Sequence, residues 1–226
     1  MKILAIETST AACSVALLCD NQSAQTFNIA PKQHNQLLLP IIDQLLKQHD
    51  INISQLDALA YSRGPGSFTG IRLAASLTQG LALAHNLPVI PISTLQIYAQ
   101  TASRQLEQTN IIVCNDARMQ AVYWGCYKQN ALHIMDPVTE ERCSAMTELS
   151  PPDYSDWFAV GDGWNSYQEE IPAMLLNKIK YTKEIIYPEA IDMLNIAQLN
   201  FKQKLFMTPE EALPVYLREM HYKQTG

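Results

Sequence analysis

Gly64-Pro65-Gly66-Ser67-Phe68-Thr69-Gly70-Ile71-Arg72 stands between two stretches of different periodicity. Before it, Leu56 to Ser62 is a short apolar run with the length and composition of a buried strand. After it, Ile71 to His85 repeats its apolar residues at helical spacing. Glycines let the backbone turn tightly and expose N–H groups, and Ser67 or Thr69 can cap the helix that follows. The start of such a helix can hold an anion. On that reading Gly64, Pro65, Gly66, Ser67, Thr69, Gly70 and Arg72 form a phosphate or carboxylate cradle. The competing reading is a plain strand-to-helix turn whose glycines serve geometry alone. The lack of a Walker lysine or a dinucleotide fingerprint favours the plain turn.

Upstream, Ile3 to Ile6, Cys13 to Cys19 and Ala24 to Ala30 are three short runs joined by short polar turns, the pattern of an antiparallel meander. His34 to His49 then carries Leu37, Leu38, Ile41, Ile42, Leu45 and Leu46 at helical spacing, with Pro40 disturbing its early turns. Downstream, Pro88 to Ile92 reads as a strand and Thr94 to Gln108 as a helix. Three antiparallel strands followed by alternating helices and strands is the order of ribonuclease H-like folds, with the later strands added in parallel.

The second half begins again with the same pattern. Ile111 to Asp116 followed by Ala121 to Tyr127 echoes Ile3 to Glu7 followed by Cys13 to Cys19. Trp157 to Val160 reads as a further strand, Gly161 to Gly163 as a turn, and Trp164 to Leu176 and Glu189 to Leu205 as helices. The expected fold class is α/β, a two-lobed actin-like ATPase fold with mixed sheets flanked by helices. Residues 1–108, with the C-terminal segment from about 206–226, form the first lobe and 109–205 the second. Ser150-Pro151-Pro152-Asp153 reads as a loop inside the second lobe.

The chain has 226 residues, a formal net charge of -6 and scattered rather than clustered Lys and Arg. Gripping RNA alone takes a basic face, so any RNA is expected to be held by a partner. Five cysteines without CxxC spacing read as reduced, mostly buried thiols of a cytoplasmic protein. Its opening residues lose apolar character too early for a signal peptide, and no apolar stretch approaches the roughly 20 residues of a membrane span.

On the helix after the glycine loop, Ser76, Gly80 and Ala84 recur every four residues, with Ala75 beside them and Leu73, Leu77 and Leu81 as the adjacent apolar row. Small residues at that spacing let another helix approach closely. Helical Gly costs about 1 kcal/mol relative to Ala, so Gly80 implies a close contact. The contact is either internal, with the helix at 34–49, or with another chain.

Nucleotide binding on an actin-like fold needs a glycine in each strand-turn-strand loop, so that backbone N–H groups reach phosphate. Neither Thr8-Ser9-Thr10-Ala11-Ala12 nor Ala117-Arg118-Met119-Gln120 contains one. Glu7 and Asp116, at the positions of magnesium-associated acids, are expected as solvated strand-end carboxylates. His34, His49, His85, His133 and His221 contain no i, i+4 pair for a metal, and all are expected to be structural or exposed, with His34 capping a helix. GxSxG is absent.

Ile3-Leu4-Ala5-Ile6-Glu7-Thr8-Ser9-Thr10, His34 with Leu38-Leu39-Pro40, the Gly64 to Arg72 block, Asp116-Ala117-Arg118 before Val122-Tyr123, and Pro214-Val215-Tyr216-Leu217-Arg218 occur in that order. Together they resemble the bacterial TsaB (YeaZ) proteins along essentially the whole chain. The resemblance implies a non-catalytic subunit of tRNA threonylcarbamoyladenosine synthesis, which binds and activates the transferase TsaD together with the ATPase TsaE. It implies a homodimer when TsaD is absent, contact with tRNA only through the complex, and no cofactor, metal or membrane. The first two helices, 34–49 and 71–85, build the implied interface. Their helical pattern picks out Leu37, Leu38, Ile41, Ile42, Leu45, Leu73, Ser76, Leu77, Gly80 and Ala84. Family members often carry Asp at the position of Glu7 and a small residue near Gln120. The competing functions on the same fold are an ATP-dependent small-molecule kinase and a metallopeptidase.

Overall fold

Alternating burial sets the first sheet. In β1 (Lys2–Glu7), Leu4 and Ile6 face one core while Ile3 and Ala5 face another, as a two-residue side-chain period requires. β1 pairs antiparallel with β2 (Ala12–Cys19), and β2 with β3 (Gln22–Ile29). The β2–β3 connection places Asp20 and Asn21 at φ 48° and 72°, the left-handed pair that a two-residue hairpin needs. Helix α1 (His34–Gln48) follows, then β4 (Ala58–Gly64), α2 (Phe68–His85), β5 (Val89–Ser93) and α3 (Thr94–Leu106). β4 and β5 add in parallel, which gives the sheet order β3-β2-β1-β4-β5.

The second sheet repeats the plan. β6 (Asn110–Arg118) and β7 (Ala121–Gln129) pair antiparallel, and β8 (Met135–Pro137) and β9 (Arg142–Ser144) both pair with β7. β10 (Trp157–Val160) lies parallel to β6. The helix expected over Trp164 to Leu176 is instead two single turns, α4 (Gly163–Ser166) and α5 (Ala173–Leu176). Between them lie a 3-10 turn at Gln168–Glu170 and Pro172. β11 (Ile179–Tyr181) pairs in parallel with β10, and α6 (Ala190–Lys202) closes the series. β8, β9 and β11, at three residues each, are too short to show a period in sequence. The computed structural model describes residues 1–152, 156–176, 178–182 and 184–218.

Helix α3 joins the two halves. Its Leu95, Tyr98, Ala99 and Ala102 enter the core of the second sheet, while Ile97 enters the core of the first. Helix α6, placed by sequence in the second lobe, lays Met193, Leu194, Ile196 and Ala197 on the first sheet instead. Arg104 of α3 holds it there, donating to Asp192 Oδ1 and Oδ2 at 2.8 and 2.9 Å and reaching Glu189 at 3.1 Å. The chain beyond α6 returns to the first sheet. Met207 and Val89 exchange backbone hydrogen bonds, Tyr61 Oη donates to the Leu213 carbonyl, and Val215 N–H donates to the Arg63 carbonyl.

Helix α1 runs through Pro40, which is exposed. His34 is its first residue rather than its cap, and a ring nitrogen lies 3.1 Å from the Ala12 carbonyl, fastening the helix start to β2. His49 follows the helix and its Nδ1 meets the Leu45 carbonyl at 2.9 Å, which suits an imidazole at a C-terminus. Leu38, Ile41, Ile42 and Leu45, expected at a partner interface, are between 1% and 7% exposed and belong to the core between α1, α2 and the sheet. The width of the apolar face of α1 reflects burial against its own lobe. Leu45→Ala should therefore lower unfolding free energy by about 2–5 kcal/mol. Urea unfolding of the isolated chain should register that loss with no partner added.

Candidate functional site

The glycine loop is pressed against the β1–β2 turn. A Cβ at Gly70 would stand 2.0 Å from the Thr8 carbonyl oxygen, and one at Gly66 2.7 Å from that of Ser9. Ser67 N–H donates to the Ser9 carbonyl at 2.8 Å, and Thr8 Oγ1 donates to the Gly70 carbonyl at 2.9 Å. Ser67 is the N-cap of α2, its side chain accepting from Gly70 N–H at 3.4 Å. The cap shifts the helix start to Phe68, earlier than the periodicity alone indicates. Thr8 and Ser9 are 0% and 2% exposed. Gly66 and Gly70 thus serve close approach of two backbones, which is the plain-turn reading of their role.

Glu7 is fully buried, not solvated. Its Oε1 accepts from Ser9 N–H and Ser9 Oγ, both at 2.5 Å, while Oε2 has no donor. Ser62 Oγ, also buried, lacks a partner by geometry, although the two side chains lie close enough for Ser62 to draw the carboxyl's pKa down a little. Burial outweighs these hydrogen bonds and pushes the Glu7 pKa up to about 7.

The matching turn of the second sheet is held differently. Arg118, Met119 and Gln120 are all left-handed, at φ 64°, 53° and 56°, a run of conformations that non-glycine residues rarely adopt. Asp116 braces the turn from inside. It accepts from Tyr167 Oη at 2.9 Å, Arg118 N–H at 2.7 Å and the Arg118 guanidinium at 3.0 Å, with its side chain only 9% exposed. It too departs from the expected solvated state. Arg218, from the far end of the chain, donates to the Ala117 and Arg118 carbonyls at 3.3 and 3.1 Å. Neither turn carries the glycine that an actin-like phosphate loop uses. Among the described residues no three His, Cys, Asp or Glu side chains gather to form a metal site. His221 lies outside the described residues.

The outer face of α2 has the opposite character. Ser76, Gly80 and Ala84 are exposed, and a Cβ at Gly80 would meet nothing within 4 Å. Leu73, Leu77 and Leu81 are half-buried against the core, as is Leu37 of α1, and Ala75 is buried. At the start of the same face Arg72 stacks on Phe68, 3.7 Å from ring centre to guanidinium carbon, and donates through Nε to Tyr216 Oη at 2.7 Å. Tyr216 stands in a motif visible in the sequence, but its contact lies 144 residues away from Arg72 and no local pattern reports it.

The family model for the tRNA N6-adenosine threonylcarbamoyltransferase TsaD matches residues 26–222. The tRNA threonylcarbamoyladenosine biosynthesis protein TsaB of Escherichia coli is 37% identical over 227 residues, covering 96% of this chain and 95% of that protein. The chain belongs to the TsaB family. TsaB of Haemophilus influenzae is 35% identical, with 96% and 94% covered. Among solved structures, YeaZ from Pseudomonas aeruginosa superposes with a TM-score of 0.89 at 38% identity, covering 96% of this chain and 99% of that one. The fold of this chain is therefore the two-sheet, actin-like architecture read from the sequence.

Glu7 makes the stability of this chain depend on pH. Its folded pKa is raised from 4.5 to about 7, so between those values the folded state keeps a proton that the unfolded state has lost. Stability is full below about pH 4.5 and falls as pH rises toward 7, by about 3 kcal/mol in all. Glu7→Gln mimics the protonated form at every pH. In urea unfolding it should match the parent at pH 5 and exceed it by about 1–3 kcal/mol at pH 8. Destabilisation at pH 8 would mean that the site requires the carboxylate.

Proposed function

We propose that this chain is a subunit of cytoplasmic tRNA threonylcarbamoyladenosine biosynthesis that runs no reaction of its own. It docks through the outer face of α2 onto the transferase TsaD, is joined there by TsaE, and pairs with a second copy of itself when TsaD is absent. It meets tRNA only through that complex. The relatives' shared name supports the pathway. A net charge of -6 without a basic cluster supports the indirect contact with tRNA.

The observation that carries the docking reading is Gly80. A glycine inside a helix is a liability of about 1 kcal/mol, and the space around this one is open. Internal packing therefore supplies no reason for it, whereas close approach by a helix from another chain does. The proposed contact surface is Ser76, Gly80 and Ala84, edged by the half-buried Leu73 and Leu77; Leu38, Ile41, Ile42 and Leu45 drop out of it. The kinase and peptidase alternatives have no support in the geometry of the two turns or in the arrangement of the described histidines.

Gly80→Leu separates docking from folding. The substitution fills open space and improves helix propensity, so thermal stability should stay level or rise by up to about 1 kcal/mol. The bulk should hold the two helices apart. A reconstitution with purified TsaD, TsaE, tRNA, ATP and threonylcarbamoyl adenylate should then lose most threonylcarbamoyladenosine formation. Modification at the parent rate by a stably folded Gly80→Leu chain would refute the docking surface.

A further inference from the structure

Phe68, Arg72, Ser76, Gly80 and Ala84 recur every fourth residue, and all five are exposed. The first two differ in kind from the rest. The Arg72 guanidinium carbon lies 3.7 Å from the Phe68 ring centre and 5.8 Å from that of Tyr216. Its Nε is committed to Tyr216 Oη at 2.7 Å. Tyr216 is held in turn by the neighbouring backbone bond from Val215 N–H to the Arg63 carbonyl, at 2.7 Å. The terminal nitrogens of Arg72 have no acceptor among the described residues, and no carboxylate there pairs with it. An arginine normally loses side-chain freedom when it binds; this one is already fixed by two rings and a hydroxyl. What it leaves open is a planar pair of donors, the shape that fits a carboxylate.

The interface helices of a second copy offer little to such a fork, its Glu210 and Glu211 lying off them on the 3-10 turn beside α2. Residues 68–85 contain no Asp or Glu, and α1 contains only Asp43, already ion-paired to Lys47 at 2.7 Å. RNA phosphate is also poorly served, since Arg72 is the lone Lys or Arg of α2 and affinity for a phosphate backbone takes several cations.

We propose that Arg72 makes the docking face selective: it takes the carboxylate of an Asp or Glu on a helix of the partner protein, and so favours that partner over a second copy of this chain. The proposal rests on the docking reading above and adds to it the charge the partner must carry. Its structural basis is that the fork and the small-residue trough lie along one row of the same helix, so a helix seated in the trough passes Arg72.

Calorimetric titration against purified TsaD at low and high salt, with self-association measured by sedimentation, tests this. Arg72→Gln should weaken the mixed complex roughly tenfold or more and flatten its salt dependence, with self-association unchanged or tighter. Arg72→Lys, which keeps the charge and loses the fork, should fall between. Gly80→Leu should weaken both kinds of complex. If Arg72→Gln binds TsaD like the parent while Gly80→Leu does not, the selectivity role is overturned and the docking face stands. If neither substitution weakens TsaD binding, the docking face fails and the proposal with it. If Arg72→Gln loses tRNA affinity while the mixed complex is intact, the fork serves phosphate and the carboxylate assignment is wrong.

Discussion

The contact between the Gly64–Gly70 loop and the Thr8–Ser9 turn governs much of the first lobe. Two backbones meet there with no room for a side chain between them: a Cβ at Gly70 would lie 2.0 Å from the Thr8 oxygen. Because the loop is held so closely, α2 starts at a defined place, capped by Ser67, and its direction across the sheet follows. The same closure covers the end of β1. Glu7, which an open turn would leave in water, is sealed in, and its pKa rises accordingly. The glycines of that loop are spent on packing against the turn.

Helix α2 consequently has two unlike sides. Ile71, Ala74, Ala75, Thr78 and Ala82 are buried against the sheet, with Leu73, Leu77 and Leu81 half-buried at the margin. The far side carries an arginine clamped by aromatic rings, followed by a trough of Ser76, Gly80 and Ala84. A surface that combines a fixed cation with an open glycine is suited to receive another helix. In the second lobe the β6–β7 turn is braced by Asp116, Tyr167 and Arg218, and α3 shares its packing between both sheets.

The C-terminal segment links these parts. Leu213 and Val215 bind the first sheet, Tyr216 fixes Arg72, and Arg218 reaches the β6–β7 turn of the second. Residues 213–218 thus reach the interior strand β4, the proposed docking face and the other lobe. Their sequence separation from each contact, 152 residues for Leu213 with Tyr61 and 144 for Tyr216 with Arg72, keeps this invisible to any local reading.

Period and turn chemistry in the sequence alone sufficed for the meander of β1 to β3, the parallel additions of β4 and β5, the second strand pair of β6 and β7, and the helices at 34–48 and 94–106. The small-residue row on α2 was legible too, because i, i+4 spacing is a property of the chain. What sequence could not decide was which side of each element meets which neighbour. The apolar width of α1 was open to burial on either of two sides, and only packing placed Leu38, Ile41, Ile42 and Leu45 inside the lobe. Helix α6 lies over the first sheet, not the second, for the same reason. Glu7 looks like any strand-end acid until a loop 60 residues later closes over it. Periodicity states that a face is apolar or small; burial and charge state depend on what tertiary structure brings against it.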